Sequence, residues 1–411
     1  MKVILFTYLF PNKSFPQYGI FNFSRAKALK ELGFEVIVIA PVSLNPHMIN
    51  LFPKFKIIES IKLFIKILRI PEEEIYKGIK VYHPRWLKFP NKIFWQYNFR
   101  ILHFFINKKI QKIFKYFDPE LIISTWLNPF AVYSYYFKKD CRAINFAIAE
   151  GSDVLVHPFH YNGWKRIEKI INKNCDLIIA VSENMKMQIQ QKTKLQNIKV
   201  IRNGYDKNSF FNSIGNNETN NKFKIITVSN FNRVKGHDIL LRALQYLDMP
   251  FEITLVGSGP EYDKCNYFVH QNGLESVVHF LGEVPHDSLR KILLQNDVFC
   301  LPSRSEGLPA APLEAMGCGL PVVSANVGGM NEIIIDGFNG FLFKAESSMD
   351  LSRKLMSAAN TDWKRDDISA WVTANFSWDN WAAKIIKEYN SFIEERVPIK
   401  NNNLMKCESV F

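Results

Sequence analysis

The sequence lacks cysteines at metal-binding or disulfide spacing. Its six cysteines are scattered over 411 residues, with no Cys-x-x-Cys motif and no Cys/His cluster. This distribution argues against a structural zinc site and against a disulfide framework. Scattered cysteines suit a protein of the reducing cytosol.

Long apolar runs are also scarce. A long uncharged run, residues 121–137, contains Asn128-Pro129, which predicts a turn between a strand and a helix rather than a membrane span. The opening "MKVILFTYLF" carries a lysine before a short apolar run, but no small-residue cleavage site follows. It therefore predicts a buried first strand and not a signal peptide. We expect a cytoplasmic protein.

A glycine fingerprint for a dinucleotide is missing after the first predicted strand. That strand runs into "TYLFPN", which argues against a nicotinamide-dependent dehydrogenase. The composition is otherwise that of a globular protein, with 47% hydrophobic and 22% charged residues. The length predicts about two or three domains.

Acidic residues are few in the first part of the chain. Residues 1–120 contain 20 lysines and arginines against 8 acidic residues, so they carry +12 of the net charge of +13. A basic part and a nearly neutral part predict two domains with different partners. An anionic membrane and nucleic acid are the candidate partners, and a general preference for lysine is the alternative.

Short apolar runs alternate with helical segments along most of the chain, in two series separated by a polar stretch at 212–222. This alternation is typical of βαβ units and parallel sheets. The first series of strand-like runs is "KVILFT", "EVIVIAP", "LIIST", "AINFAIA", "DLIIAVS" and "IKVIRNG", and the second is "FKIITVSN", "FEITLVGSG", "VVHFLG", "DVFCLPS" and "LPVVSA". The sequence therefore predicts an α/β protein with two doubly wound domains.

Ligands of such sheets bind beyond the carboxyl ends of the strands. Three strand ends of the second series carry polar groups or glycines: Arg233 and Lys235, then Gly257 and Gly259, and finally Glu306 and Glu314 within "SRSEGLPAAPLEAMGCGLPVV". Gly307 and Pro309 free the backbone to approach a ligand and prepare a helix start.

Each of these features also has a plain structural interpretation. The two cations could be solvated, the glycines could serve ordinary turns, and Glu314 could be a favourable charge in a first helical turn. Taken together, cations with free helix N–H groups suit a pyrophosphate, and carboxylates suit vicinal hydroxyls. A nucleotide sugar has both features.

These segments resemble the GT-B glycosyltransferases, specifically the retaining family 4. "EGLPAAPLE" looks like the E-x7-E signature of that family, and "VSNFNRVKGHD", "LVGSGPE", "VHFLGEV" and "DGFNGFLF" follow its order and spacing. In the first series, "QYGIFNFSRAKALKELGFEVIVIAP", "DLIIAVSENM" and "VIRNGYDKNSF" are similar to family segments. The resemblance covers most of residues 1–390 and implies two Rossmann-like domains facing a central cleft.

The resemblance implies roles for the matching residues. Glu306 would contact hydroxyls of the donor sugar, Glu314 the ribose, and Lys235 the diphosphate, while Gly19 would let the N-domain loop close on the phosphates. Backbone N–H groups near the sugar and phosphate would come from the segment Leu308, Pro309, Ala310 and Ala311, and the loops of Gly257, Gly259 and Gly307 would also lie at the donor.

Two positions depart from the family pattern. Asn230 stands where the family commonly has an arginine five residues before the lysine, and Arg233 is the candidate replacement. Glu150 stands where the family commonly has an acceptor-side histidine, whereas Gly151 and Asp153 are kept. The usual role of that histidine is therefore not carried over to this chain.

The sequence contains no Asp-x-Asp motif, the metal-holding signature of the other major glycosyltransferase fold. Lys235 and helix N–H groups could stabilise a leaving diphosphate electrostatically. We therefore predict transfer without a metal or other cofactor, and with retention, which the resemblance alone implies.

We expect residues 1–205 to bind the acceptor and 206–376 to bind the donor. A helix at 377–396 is expected to stay on the second domain or to cross back to the first, before a loose tail at 397–411. The acceptor would be a glycan or a lipid-linked saccharide, as in surface polysaccharide synthesis, and no nucleic acid is expected.

Residues 53–70 predict a basic amphipathic helix, with Lys62 and Lys66 opposite Ile61 and Ile65. Such a helix can lie on an anionic membrane, at the inner face of the plasma membrane, or pack on the core with a solvated lysine face. Residues 85–100 interleave aromatics with cations, which suits a sugar, a lipid headgroup or an interdomain contact.

Two further functions remain open from the sequence. A nucleotide-sugar epimerase of similar build would need acid and base residues around C2 of the sugar, for which the sequence offers no independent sign. A non-catalytic scaffold would bind membrane or RNA through the basic part.

Overall fold

The computed structural model describes residues 1–44, 57–89, 94–213 and 222–396. In these ranges the chain forms two large, mainly parallel sheets, each covered by helices as the alternating pattern predicts, and a separate two-stranded sheet. The strands are β1 Lys2–Phe6, β2 Glu35–Ile39, β3 Val42–Ser43, β4 Glu73–Tyr76, β5 Ile79–Tyr82, β6 Arg85–Trp86, β7 Leu121–Thr125, β8 Ile144–Ala149, β9 Leu177–Ala180, β10 Ile198–Val200, β11 Phe223–Val228, β12 Phe251–Val256, β13 Val278–Gly282, β14 Val298–Leu301, β15 Val322–Ala325 and β16 Gly340–Phe343.

The α-helices connect these strands and cover both faces of each sheet. They are α1 Ile20–Glu31, α2 Ile57–Leu68, α3 Asn98–Phe117, α4 Ser134–Asp140, α5 Ser152–Leu155, α6 His157–His160, α7 Trp164–Asn174, α8 Glu183–Lys192, α9 His237–Leu244, α10 Tyr262–Gln271, α11 His286–Leu293, α12 Ala310–Gly317, α13 Ser348–Ala359, α14 Arg365–Phe376 and α15 Trp378–Arg396. No helix in the described ranges combines the length and apolar character needed to cross a bilayer.

The first sheet has the strand order β10-β9-β8-β7-β1-β2-β5-β4. Its central strands β7 and β8 are buried along their whole length, which explains their continuous apolar sequence. The second sheet has the order β13-β12-β11-β14-β15-β16, and all of its pairs are parallel. The predicted α/β class with two doubly wound sheets is confirmed.

The sequence pattern missed the hairpin of β4 and β5, which is the antiparallel edge of the first sheet. Its two-residue turn is Lys77-Gly78, and both residues have positive φ, 45° and 80°. A positive φ at both central positions matches the right-handed twist of the strands. The alternation in "EEIYKGIKVY" was the available signal.

The last helix, α15, crosses back to the first domain. Ser377 caps it by accepting a hydrogen bond from Asn380 N at 3.3 Å. Phe392 packs 5.8 Å from Phe146 of β8, between ring centroids. Of the two expected placements, the crossing is the one observed.

The division of the chain after residue 205 stays a prediction. The last strand of the first sheet ends at Val200, and the first strand of the second sheet begins at Phe223. Most of the linker-like stretch 212–222 and the whole tail 397–411 lie outside the described residues.

Helix α2 leaves most of its predicted apolar face exposed. Its side chains Leu63 and Ile67 line a cavity of the first domain, and Ile67 is only 4% exposed. Ile61, Phe64, Ile65 and Leu68, in contrast, are 43–53% exposed. The first residues of the predicted segment, 53–56, lie outside the described ranges.

Candidate active site

The polar strand ends of the second sheet meet at one edge. β12, β11 and β14 are adjacent and parallel, so the loops that follow them lie side by side at their carboxyl ends. These loops contain the three predicted groups of site residues. The topology thus brings together site residues that are spread over about 80 positions of the sequence.

Lys235 and Glu306 form an ion pair across two of these loops. Lys235 lies in a short 3₁₀ turn, and its backbone N–H donates to the Asn232 side chain at 3.2 Å. Its Nζ donates to Glu306 Oε1 at 2.7 Å, and the Glu306 side chain is 8% exposed. A cation that can serve phosphate and a carboxylate that can serve hydroxyls therefore lie in contact.

The segment after Glu306 leads directly into α12. Leu308 is buried and Pro309 is the residue before the helix, while Ala310 and Ala311 form its first two positions. N–H groups in the first turn of a helix lack partners within the helix and favour an anion. The predicted backbone donors are thus at a helix start.

Gly307 lies where the two domains approach each other. A Cβ at this position would lie 3.0 Å from Met185 Cε and 3.5 Å from the Glu150 carbonyl oxygen, both in the first domain. Its carbonyl accepts a hydrogen bond from Gly329 N at 2.8 Å. The donor-side loop therefore adjoins the acceptor-side residues.

Glu314 lies in α12, and its partner was not found from the sequence. His286, at the start of α11, places Nε2 3.0 Å from Glu314 Oε1. Burial acts to lower the pKa of His286, but the hydrogen bond and charge of Glu314, with the charges of Asp287 and Asp206, raise it above its ordinary value. His286 follows β13, at the same sheet edge, which was the available signal.

The glycines after β12 bring its loop against the loop after β11. Gly257 has φ +134°, and a Cβ there would lie 2.1 Å from the Ser229 carbonyl oxygen. Gly259 similarly faces the Phe231 carbonyl, where a Cβ would lie at 2.5 Å. Asn230, which lies between Ser229 and Phe231, is exposed. Close backbone approach explains the glycines without a ligand.

Arg233 faces a different environment from Lys235. It is exposed and lines a cavity of about 360 Å³ together with Asp238 and Cys265. Its carbonyl accepts a hydrogen bond from Arg304 Nη1 at 2.6 Å. Lys235, and not Arg233, is the cation paired with Glu306.

Gly19 immediately precedes α1, at the other side of the cleft. Its φ is +70°, and a Cβ would lie 2.4 Å from the Leu9 carbonyl oxygen. A larger residue would push apart the loop after β1 and the helix. The structure thus explains the glycine by packing.

The acceptor-side residues follow β8. Asp153 is fully buried, and its carboxylate accepts hydrogen bonds from the backbone N–H groups of Glu150, Gly151 and Leu127 at 3.1, 2.9 and 2.8 Å. Burial, with the charge of Glu150, raises the pKa of Asp153 to about 7, against the effect of these hydrogen bonds. Asp153 therefore shapes the loop that presents Glu150.

Arg25 of α1 was also missed by sequence reasoning. It is fully buried, and its Nη1 donates to Glu150 Oε1 at 2.6 Å. Its Nη2 donates to Asn203 Oδ1 at 2.6 Å, and Asn203 Nδ2 donates to the Leu308 carbonyl at 3.4 Å. A chain of hydrogen bonds therefore joins the acceptor-side carboxylate to the donor-side loop. An arginine amid the apolar positions Phe21 and Ala28 was the available signal.

No group of three or more metal-ligating side chains is present among the described residues. The positive groups at the donor edge are instead Lys235 and the start of α12. These can serve a diphosphate by charge and by hydrogen bonds.

Two family models match the chain in succession. "Glycosyltransferase Family 4" matches residues 21–209, and "Glycosyl transferases group 1" matches residues 207–371. The chain is 30% identical to an uncharacterized glycosyltransferase of Methanocaldococcus jannaschii, over 84% of this chain and 93% of that protein. It is 24% identical to the putative teichuronic acid biosynthesis glycosyltransferase TuaC of Bacillus subtilis, over 97% of this chain and 100% of that protein.

Solved structures share the fold at low sequence identity. Sucrose-phosphate synthase of Thermosynechococcus elongatus matches with a TM-score of 0.75 at 17% identity, over 96% of this chain and all of that one. HepE of Anabaena in complex with UDP-glucose matches with a TM-score of 0.69 at 20% identity, over 95% of this chain and 100% of that one. These likenesses show the GT-B fold.

Fold and relatives together define the class of protein as a GT-B glycosyltransferase. The chain belongs to the group 1 glycosyltransferases of family 4, as the resemblance predicted. The fold is also shared with WaaG, a glycosyltransferase involved in lipopolysaccharide biosynthesis, with a TM-score of 0.62 at 14% identity, over 95% of this chain and 99% of that one.

Proposed function

We propose that this enzyme transfers a glycosyl group from a nucleoside-diphosphate sugar to a glycan or lipid-linked saccharide, with retention and without a metal. The observation that carries the proposal is the contact of Lys235 Nζ with Glu306 Oε1 at 2.7 Å, beside the start of α12. Glu314 lies about one turn further along that helix. The UDP and UDP-glucose complexes of the fold neighbour HepE support a uridine diphosphate sugar as the donor.

In this proposal, different residues bind different parts of the donor. Glu306 accepts hydrogen bonds from sugar hydroxyls, and Glu314 from the ribose hydroxyls. Lys235 then turns from its carboxylate partner toward the diphosphate, where the N–H groups at the start of α12 also donate. The loops that carry Asn230, Gly257 and Gly259 adjoin this site, whereas Arg233 faces a separate cavity.

The reaction breaks the bond between the anomeric carbon and the diphosphate oxygen. The oxygen of an acceptor hydroxyl bonds to the anomeric carbon on the same face, and its proton passes to the leaving phosphate. The nucleoside diphosphate leaves with the electron pair of the broken bond. Lys235 and the helix N–H groups stabilise its growing negative charge, which is the electrostatic role that a metal has in other enzymes.

The acceptor approaches from the first domain. Glu150 takes the place of the histidine common in the family and accepts a hydrogen bond from an acceptor hydroxyl. Arg25 orients Glu150 through their ion pair, and Asp153 holds the loop. Residues 1–205 are in this proposal the acceptor domain, and 206–376 the donor domain.

We further propose that α2 attaches the enzyme to an anionic membrane, where lipid-linked acceptors occur. Ile61, Phe64, Ile65 and Leu68 are exposed at the spacing of one helical stripe. Lys62, Lys66 and Arg69 flank this stripe and are also exposed. Apolar side chains beside cations are suited to the headgroup boundary.

Nucleotide release from a panel of nucleotide sugars, measured with EDTA present, tests the transfer. We expect release of one nucleoside diphosphate together with a new glycoside, whose anomeric proton coupling in NMR matches that of the donor. An epimerase would instead change the sugar without net release of nucleotide. An inverted anomer would contradict retention alone, and loss of all activity in EDTA would contradict metal independence alone.

A further inference from the structure

A small cavity in the first domain, separate from the donor edge, has walls made largely of aromatic rings. It has a volume of about 50 Å³ and is lined by Tyr8, Trp86, Trp95 and Trp126, among others. Tyr8 and Trp126 follow the neighbouring strands β1 and β7, so the cavity lies at the carboxyl edge of the first sheet. Part of the aromatic and cationic segment 85–100 thus lines a cavity.

The charge of the cavity is positive. Lys88 lies in its wall, with Nζ 5.4 Å from the Tyr8 ring centroid. No carboxylate is among the described residues that line it. Burial lowers the pKa of Lys88, so an anion placed beside the ammonium would favour its charged form.

Three buried polar atoms in the lining lack a hydrogen-bond partner among the described residues. They are Trp86 Nε1, Asn128 Oδ1 and His157 Nδ1. Trp86 is 1% exposed and Asn128 is 3% exposed, so water from the bulk does not readily satisfy them. Leaving a buried donor or acceptor unpaired costs about 1–3 kcal/mol, which a ligand would recover by accepting from Trp86 Nε1 and by donating a hydroxyl to Asn128 Oδ1.

The cavity directly adjoins the acceptor-side loop. Leu127, between the lining residues Trp126 and Asn128, donates its backbone N–H to Asp153 at 2.8 Å. Trp126 has φ +72°, a backbone conformation that bulky residues rarely adopt. A group bound in the cavity would therefore lie beside the loop that carries Glu150.

We propose that this cavity is an acceptor subsite for the anionic group of an acidic sugar, a uronate carboxylate or a sugar phosphate. This inference rests on the proposed function. About 50 Å³ has room for a carboxylate or a phosphate but not for a whole pyranose ring. The anion is held by Lys88 and the Trp86 N–H, and the ring of the sugar stacks on the partly buried Trp126.

Titration of tryptophan fluorescence tests the subsite, since three tryptophans line the cavity. The ligands are glucuronate, glucose 1-phosphate and glucose, each added in saturating UDP so that the donor site is filled. We expect one of the two anions to bind with a Kd about tenfold or more below that of glucose, the size of a charge-assisted hydrogen bond. The better anion distinguishes a uronate from a phosphate.

Lys88→Met keeps the tryptophans and should remove the preference for an anion, whereas Lys88→Arg should retain it. Lys80→Met is the matched control, because Lys80 also lies over a tyrosine, Tyr82 at 4.9 Å, but on the exposed surface of β5. Thermal melting reports whether each variant folds.

Equal affinity for anions and glucose, no binding of either, or a preference that survives in Lys88→Met would overturn the subsite. UDP binding is measured in the same samples. If UDP binds but the anion preference is absent, only the subsite is wrong. If UDP and the other nucleotides do not bind, the proposed function fails, and the anion titration without nucleotide still decides the subsite.

Discussion

Arg25 Nη1 lies 2.6 Å from Glu150 Oε1, and the arginine side chain is completely buried. The same guanidinium contacts Asn203, which in turn donates to the Leu308 carbonyl of the second domain. It also lies 5.7 Å from the ring centroid of Trp381 in the crossing helix α15. One residue of the first domain thus connects the acceptor loop, the donor loop and the C-terminal helix.

Arg25→Met should destabilise the protein by about 3 kcal/mol, because it leaves Glu150 with little solvent and no cationic partner. Glu150→Gln in the same chain should recover part of this loss. The control, Lys27→Met on the same helix, removes a partly exposed cation whose carboxylate contacts are 3.6 and 3.8 Å, and should cost less than about 1 kcal/mol. Denaturant unfolding measures all four proteins. Equal losses for the two single variants would show that burial of Arg25 has no special role.

Lys235→Met should reduce turnover by about 100-fold, the effect of losing one group that stabilises transition-state charge. Arg233→Met should reduce it distinctly less, since Arg233 faces another cavity and does not pair with Glu306. Steady-state rates of nucleotide release compare the two. Equal losses would show that Arg233 replaces the arginine that the family commonly has at the position of Asn230.

His286 makes the stability of the protein depend on pH. Its pKa is raised in the folded state, so the folded protein binds this proton more strongly than the unfolded chain does. The stabilisation by His286 is therefore complete below its unfolded pKa of about 6.5 and is lost as pH rises through the raised folded pKa.

The difference in free energy of unfolding between the wild type and His286→Gln should accordingly be largest below about pH 6.5 and shrink as the pH rises through the raised folded pKa of His286. His270→Gln is the matched control, because His270 also lies 3.0 Å from a glutamate, Glu275, but with a 59% exposed side chain. Its effect should be smaller at every pH. A His286→Gln difference that grows with pH would contradict the assigned pairing.

The exposed stripe of α2 should bind vesicles that contain phosphatidylglycerol and should bind phosphatidylcholine vesicles much less. Ile65→Glu should weaken the partition by about tenfold, since burial of one isoleucine contributes about 1.5–3 kcal/mol. Ile75→Glu is the control, because Ile75 is 75% exposed but lies on β4. Vesicle sedimentation at low and high salt measures the effect. Equal partition of both variants would exclude α2 as the contact.

The two sheets could be predicted from the sequence because their strands are buried on both faces. A strand such as β7, with all five residues buried, has to be apolar throughout, and the helices between such strands carry a different period. The edge hairpin of β4 and β5 was missed because exposed strands share no such constraint. Its Glu73, Ile75 and Lys80 face solvent to different extents.

The candidate site was predictable where its residues are close in the chain. Glu306 and Glu314 stand eight positions apart around one helix start, whereas Lys235 joins them only through the order of the sheet. Arg25 contacts Glu150 and Asn203, which are 125 and 178 positions away from it in the sequence. Spacing in a single sequence contains no signal for such contacts.

The most direct test of the account is a thermal-shift measurement with UDP, GDP, ADP and CMP and their sugar conjugates, in EDTA. A nucleotide at about 100 times its Kd stabilises the folded protein by about 2.7 kcal/mol. We predict a shift with one nucleotide series that Glu314→Ala abolishes. Glu275→Ala, which removes an exposed glutamate that is also paired with a histidine, should retain the shift. No shift with any nucleotide, or a shift unchanged in Glu314→Ala, would contradict a nucleotide-sugar site between Glu306 and Glu314.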